Sequence, residues 1–153
     1  MPNRERTALA VVAGLLNERL NRELREKEGL AYSLGASLGT IGETAVFTFS
    51  MGTSPEKIEQ ARAGLRREIE AQRAAAVTAE ELERRVNAIT GRFQMRTLSS
   101  LNRGFYLALA EAKDLPHTFG EDYRQLLLAL TPEQVEEAAR AFLPEHLAEV
   151  VVR

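Results

Sequence analysis

The residues that could do chemistry in this chain are few. His117 and His146 are its only imidazoles, and with no cysteine it has no thiolate nucleophile, disulfide or cysteine zinc cage. A zinc hydrolase needs His-Glu-x-x-His or the reversed His-x-x-Glu-His, so that two imidazoles one helical turn apart reach the same ion. Neither motif occurs. The nearest approach, Phe142-Leu143-Pro144-Glu145-His146, has phenylalanine where the first ligand should stand and a proline that breaks the helix. His146, and His117 in the Pro116-His117-Thr118 turn, therefore read as loop histidines. Gly35, Gly39 and Gly42 fall in a strand and its turn, so they make no phosphate loop, which sits between a strand and a helix. Glu80, Glu81 and Glu83, like Glu136 and Glu137, read as solvated helix faces, where early acids favour the macrodipole and later ones pair with arginine.

The 153 residues, 44% hydrophobic and 27% charged, suffice for one domain burying roughly 70% of its unfolded surface. That excludes a disordered tail or a fibrous repeat. Net charge is −2, and acids interleave with bases through Arg22-Glu23-Leu24-Arg25-Glu26-Lys27-Glu28, so no basic stripe exists to follow a nucleic-acid backbone. The longest apolar runs, such as Ala8 to Ala13, fall short of the roughly 20 residues that cross a bilayer, and no signal peptide opens the chain. A soluble protein is expected, cytoplasmic or periplasmic, with neither nucleic acid nor membrane as partner.

The elements that must position any site follow from periodicity. Ala8, Val11, Val12, Leu15, Leu16, Leu20 and Leu24 predict a helix from Thr7 to Glu26, which Gly29 ends. Alternation predicts a strand from Ala31 to Leu38, with Tyr32, Leu34, Ala36 and Leu38 on one face, and a second from Thr44 to Met51. Gly39 to Glu43 supply the turn of an antiparallel hairpin. Ser54-Pro55 opens a helix with Ile58, Ala61, Leu65, Ile69 and Gln72 inward, and Thr78-Ala79-Glu80-Glu81 opens another carrying Leu82, Val86, Ile89 and Phe93. Periodicity resumes after Ser99-Ser100 through Leu101, Phe105, Ala108, Leu109 and Ala112. A helix over Phe119 to Leu130 follows, then one that Thr131-Pro132-Glu133-Gln134 opens and Pro144 closes, and Val150 to Val152 read as a last strand returning to the hairpin's sheet. The order predicts an α+β domain: a mostly antiparallel sheet with helices packed on one face. A sheet of about three strands under so many helices leaves an open edge or lacks a piece. The expectation is one lobe, residues 1–153, forming a fragment or subunit of a larger protein.

The stretch Arg19-Leu20-Asn21-Arg22-Glu23-Leu24-Arg25-Glu26-Lys27-Glu28-Gly29-Leu30-Ala31-Tyr32-Ser33 resembles the signature of the non-catalytic, C-terminal-type domain of the pitrilysin/insulinase zinc metallopeptidases, a family that includes mitochondrial processing peptidase. The family pattern aligns from Ala13 to Tyr32 without a gap. Val77 to Leu82, Leu130 to Val135, Ala138 to Leu143 and the terminal valines also look like later parts of that domain. Two departures stand out: the family's glycine cluster is reduced to Gly14, with Leu15, Asn17 and Glu18 where small residues are usual, and the family's first strand is missing.

The resemblance implies a division of labour. A partner lobe, on the same chain or a separate subunit, would carry zinc, the activated water and the general base, and this lobe would hold no metal and be inactive alone. By resemblance, Arg25 and Tyr32, seven residues apart, reach across the cavity: the guanidinium holds substrate carbonyls or carboxylate, and the tyrosyl hydroxyl donates to the oxyanion formed as water attacks a peptide carbonyl. Read without the resemblance, Arg25 is a helix-end cation paired with a glutamate, and Tyr32 packs in the core by parity; a bulge at the strand entrance would expose it. Two other functions remain open on the sequence: an inactive homologue serving assembly or substrate presentation, and a generic peptide-binding module.

Overall fold

A computed structural model describes residues 4–41, 44–143 and 148–152. Helix α1 (Arg4–Leu20) is the centre of the core rather than a surface helix with one apolar stripe. Thr7, Leu9, Val11, Val12, Leu16 and Leu20 are fully buried, because the first strand of the hairpin and three later helices all pack around it. The helix does not stop at Leu20: Asn21–Lys27 continue it as a wider π-helical turn, a feature that the apolar spacing did not predict.

Strands β1 (Ser33–Ile41) and β2 (Thr44–Gly52) form the expected antiparallel hairpin, with Ala36 opposite Phe49 and Leu38 opposite Phe47. Leu34, Ala36 and Leu38 share the core face with Phe47, Phe49 and Met51. The hairpin is shifted relative to the sequence reading: Ala31 and Tyr32 precede β1, whereas Gly39 to Ile41 belong to it. Gly42 and Glu43 lie outside the described residues.

Helix α2 (Ile58–Ala74) follows a short 3₁₀ turn over Pro55–Lys57, and Ser54 makes no side-chain cap to it. Helix α3 (Ala79–Arg96) begins with the predicted capping box, Glu81 N–H donating to Thr78 Oγ1 and Thr78 N–H to Glu81 Oε2. Ser99 caps α4 (Ser100–Glu111), so the chain breaks there into two helices. In α4 only Ala110 is buried, and Leu101 and Phe105 are exposed; its apolar stripe covers no part of the core already closed around α1. Helices α5 (Phe119–Leu128) and α6 (Pro132–Phe142) complete the layer, with Leu127, Val135 and Leu143 buried against α1. Pro144, read as the stop after α6, lies outside the described residues.

The expected last strand does not form. Residues 148–152 pair with no strand, because a groove separates them from β2, and Glu149 instead holds Arg62 and Arg66 on α2. Among the described residues the sheet therefore has two strands. The fold class stands: an α+β domain with helices on one sheet face.

The residues that replace the family's small cluster tie this architecture together. Ala36 N–H donates to Asn17 Oδ1 at 2.8 Å, and Asn17 Nδ2 donates to Ala36 C=O, so α1 grips β1 by its backbone. Glu18 pairs with Arg84 and Arg85, whose side chain crosses α1 at Gly14. A Cβ at Gly14 would stand 2.6 Å from Arg85 Cδ. Gly14→Ala should therefore cost stability, by about 1–3 kcal/mol from overpacking, although alanine in an open helix interior gains about 1 kcal/mol over glycine. Urea unfolding measures the sign, and a net gain would show that Arg85 does not pack across Gly14. Asn17→Ala should cost about 1–3 kcal/mol in the same assay by leaving Ala36 without its partner, and an unchanged midpoint would contradict the grip.

Candidate functional site

Arg25 and Tyr32 flank a short clasp. Gly29 takes a φ of 59°, the left-handed conformation open to glycine at little cost, and turns the chain back at the end of the π-helical segment. Leu30 N–H then donates to Leu24 C=O at 2.8 Å, and both leucines are buried. Gly64 lets α2 approach: a Cβ there would lie 2.9 Å from Leu24 Cδ2. Arg25, next to one end of the clasp, and Tyr32, two residues beyond the other, are thus brought to one end of the domain by a buried apolar anchor.

Arg25 is exposed, and no described residue pairs with it. The glutamate pairing of the reading made without the resemblance does not occur among the described residues, and Glu23 and Glu28 are engaged by other cations. Glu23 accepts from Lys27 Nζ at 2.8 Å and from Arg22 Nε at 2.8 Å. These two cations, Lys27 foremost, pull its carboxyl pKa down to about 2, so it stays ionised and occupied at any working pH. Glu28 is held by Arg67, which also binds the buried Glu68 at 2.8 Å, and Glu68 in turn accepts from Arg19 Nε on α1 at 2.8 Å. This chain of pairs fixes the π-helical segment against α1 and α2 and leaves the Arg25 guanidinium to solvent.

Tyr32 is 73% exposed. By alternation it should share the core face of Leu34 and Ala36, but it does not. Its N–H donates to the carbonyl of Gly52, the residue paired with Ser33, so Tyr32 and Ser33 both stand opposite one residue of β2. That two-to-one count is a bulge, which reverses the side chain's parity. A Cβ at Gly52 would lie 2.6 Å from Tyr32 Cε2, so the ring lies directly over the glycine.

Sequence reasoning missed two contributors. Gly52 seats the ring, and its signal was a glycine at a strand end opposite the strand entrance. Lys57 Nζ donates to Gly29 C=O at 3.0 Å and holds the turn from outside; a lysine after Ser-Pro carries no such signal. His117 is exposed before α5, and His146 lies outside the described residues. Among the described residues no three His, Cys, Asp or Glu side chains are grouped to hold a metal, and no helix is long and apolar enough to cross a membrane. The described residues thus bring together no donor set that fits a zinc ion.

Comparison with known proteins gives this geometry a family. The sequence model of the peptidase M16 inactive domain matches residues 2–89. An uncharacterized zinc protease of Rickettsia bellii is 36% identical over 88 residues, and the match spans 57% of this chain but 21% of that protein. The inactive peptidase domain of a putative zinc protease from Bordetella parapertussis superposes with a TM-score of 0.82 at 20% identity, covering 95% of this chain and 81% of that one. The periplasmic protease PqqL from Escherichia coli gives 0.77 at 17% identity, with 92% of this chain laid on 16% of that one. These structural likenesses show the fold, and the chain spans only about a fifth of the curated relative that it matches. With the family match extending over more than half of its length, the chain belongs to the inactive-domain family of the M16 zinc peptidases.

Proposed function

We propose that this lobe is the zinc-free, substrate-holding half of a zinc metalloendopeptidase acting on peptides or unfolded segments. In this reading a partner lobe, on the same polypeptide or another, supplies the metal and its water, and this lobe closes over it. The observation that carries the proposal is the availability of Arg25 and Tyr32: both are exposed at one clasp, and Glu23 and Glu28 on either side of Arg25 are engaged by other cations. A guanidinium presents several N–H donors in a fixed plane to a carbonyl or carboxylate, and a phenol donates one proton in a hydrogen bond to a developing oxyanion.

In the enzyme that contains both lobes, Tyr32→Phe should lower kcat by about 10²–10³-fold, the usual loss on removing one oxyanion donor, with zinc content unchanged. Arg25→Ala should raise KM, and Arg25→Lys should restore it only in part. Wild-type turnover in both Tyr32→Phe and Arg25→Ala would overturn the reading and leave the lobe an assembly or substrate-presenting role. Gly52→Ala should displace the Tyr32 ring and lower kcat, while adding little to the loss in a Tyr32→Phe background. Equal, independent losses would show that Gly52 acts by some route other than Tyr32.

A further inference from the structure

A cavity of about 350 Å³ lies where α1, β1, α3 and α5 meet, away from the Arg25 clasp. Ala13 stands about 18 Å along the helix axis from Arg25, and Leu38 about 20 Å along the hairpin from Tyr32, so this is a separate place on the lobe. Ala10, Ala13, Leu38, Ile89 and Phe93 give it an apolar lining. The Phe93 ring is held in place from α5. A Cβ on Gly120 would stand 2.7 Å from Phe93 Cζ, and the Tyr123 ring meets the Phe93 ring at a centroid distance of 6.5 Å.

Two arginines and a phenol complete the lining. Arg92 and Arg96 are one helical turn apart, so their Cβ atoms lie roughly 6 Å from each other on the same side of α3. Both are exposed, and neither pairs with an acid among the described residues. Upstream on the same helix, Arg84 and Arg85 are both taken by Glu18. The acids beside Tyr123 in sequence are committed as well, Glu121 to Arg124 and Asp122 to the Thr118 hydroxyl. Burial raises the Tyr123 phenol above its ordinary pKa, and the nearby Arg92 charge opposes that shift. The hydroxyl therefore stays protonated and able to donate, and it has no hydrogen-bond partner among the described residues.

Two unengaged cations beside an apolar wall complement an anion that carries an apolar group close to its charge. We propose that this cavity binds the C-terminal residue of a peptide, with an apolar side chain against Ile89 and Phe93 and the free α-carboxylate on Arg92 and Arg96. The volume lies near the lower end of the roughly 300–1,000 Å³ spanned by ligand pockets, which suits one side chain rather than a longer ligand. At a peptide's end the carboxylate is bonded directly to the carbon that bears the side chain. On α3 the row of Ile89 and Phe93 likewise adjoins the row of Arg92 and Arg96, three residues on in each case. A guanidinium donates through a planar fork that matches the two carboxylate oxygens, and the Tyr123 hydroxyl supplies one further donor. This inference is independent of the roles given to Arg25 and Tyr32, and its test reads binding alone.

The test is an NMR titration of the 153-residue chain with acetyl-Gly-Ser-Gly-Phe, as the free acid and as the amide. Slow exchange of the buried Leu16 amide is the control for an intact core. The free acid should shift the ring signals of Phe93 and Tyr123 and the methyl signals of Ala10 and Ala13, and should bind about tenfold or more tightly than the amide. Arg92→Gln combined with Arg96→Gln should abolish that advantage and leave the Leu16 amide as protected as before. Acetyl-Gly-Ser-Gly-Gly as the free acid should bind about tenfold or more weakly than the phenylalanine acid, since it has no side chain to bury. Absence of these shifts, equal affinity for acid and amide, or an advantage that survives the double substitution would overturn the proposal. Equal binding of the two acids would do the same, because the cavity would then be unused. Decanoate is the second source of a carboxylate on an apolar group. Binding of decanoate with no response to the phenylalanine acid would overturn the assignment to a peptide in favour of a fatty acid.

Discussion

The hydrogen bond from Leu30 N–H to Leu24 C=O, closed through the left-handed turn at Gly29, is the constraint on which the candidate site depends. It converts the end of a buried helix into the entrance of strand β1 within a few residues. Because Leu24 and Leu30 are both buried under α2, the turn is held by the same apolar contacts that hold the core. Opening it would expose two leucines, each worth about 1.5–3 kcal/mol of burial. Side chains on either side of the clasp therefore project from a rigid base, which is what a group that must meet a transition state requires.

Charge arrangement does the rest. Arg19, Glu68, Arg67 and Glu28 run as a chain of pairs from α1 across α2 to the end of the π-helical segment. Exposed pairs of this kind contribute little individually, but Glu68 is buried, and removing one of its arginines would leave a carboxylate desolvated. The consequence for function is local: with Glu23 and Glu28 committed, Arg25 keeps its donors. Asn17 and Glu18, which stand where the family has small residues, are likewise absorbed inside the lobe, one gripping Ala36 and the other pairing with Arg84 and Arg85.

Much of this was legible in the sequence, and the limits have physical reasons. Apolar spacing located the α-helices found among the described residues, and the alternation of Leu34, Ala36 and Leu38 with Phe47, Phe49 and Met51 gave the correct core face. Periodicity alone could not foresee the π-helical turn, since widening by one residue per turn leaves the apolar spacing of Leu20 and Leu24 almost unchanged. Parity placed Tyr32 inward because a bulge is set by the partner strand, here by Gly52 one hairpin away. Val150 to Val152 have the composition of a strand, but a strand also needs a neighbour, and β2 lies across a groove from them. The α4 stripe reads as buried for the same reason: amphipathic spacing shows that a face can be covered, not that something covers it.

The central claim is that Arg25 and Tyr32 converge on one bound peptide group. A double-mutant cycle on kcat/KM tests it directly, in the enzyme that contains both lobes, with Arg25→Ala, Tyr32→Phe and the two combined. Groups acting on the same substrate atoms behave as a unit, so the combined loss should fall well short of the product of the single losses. A combined loss equal to that product would mean that the two side chains act independently, and would contradict the account.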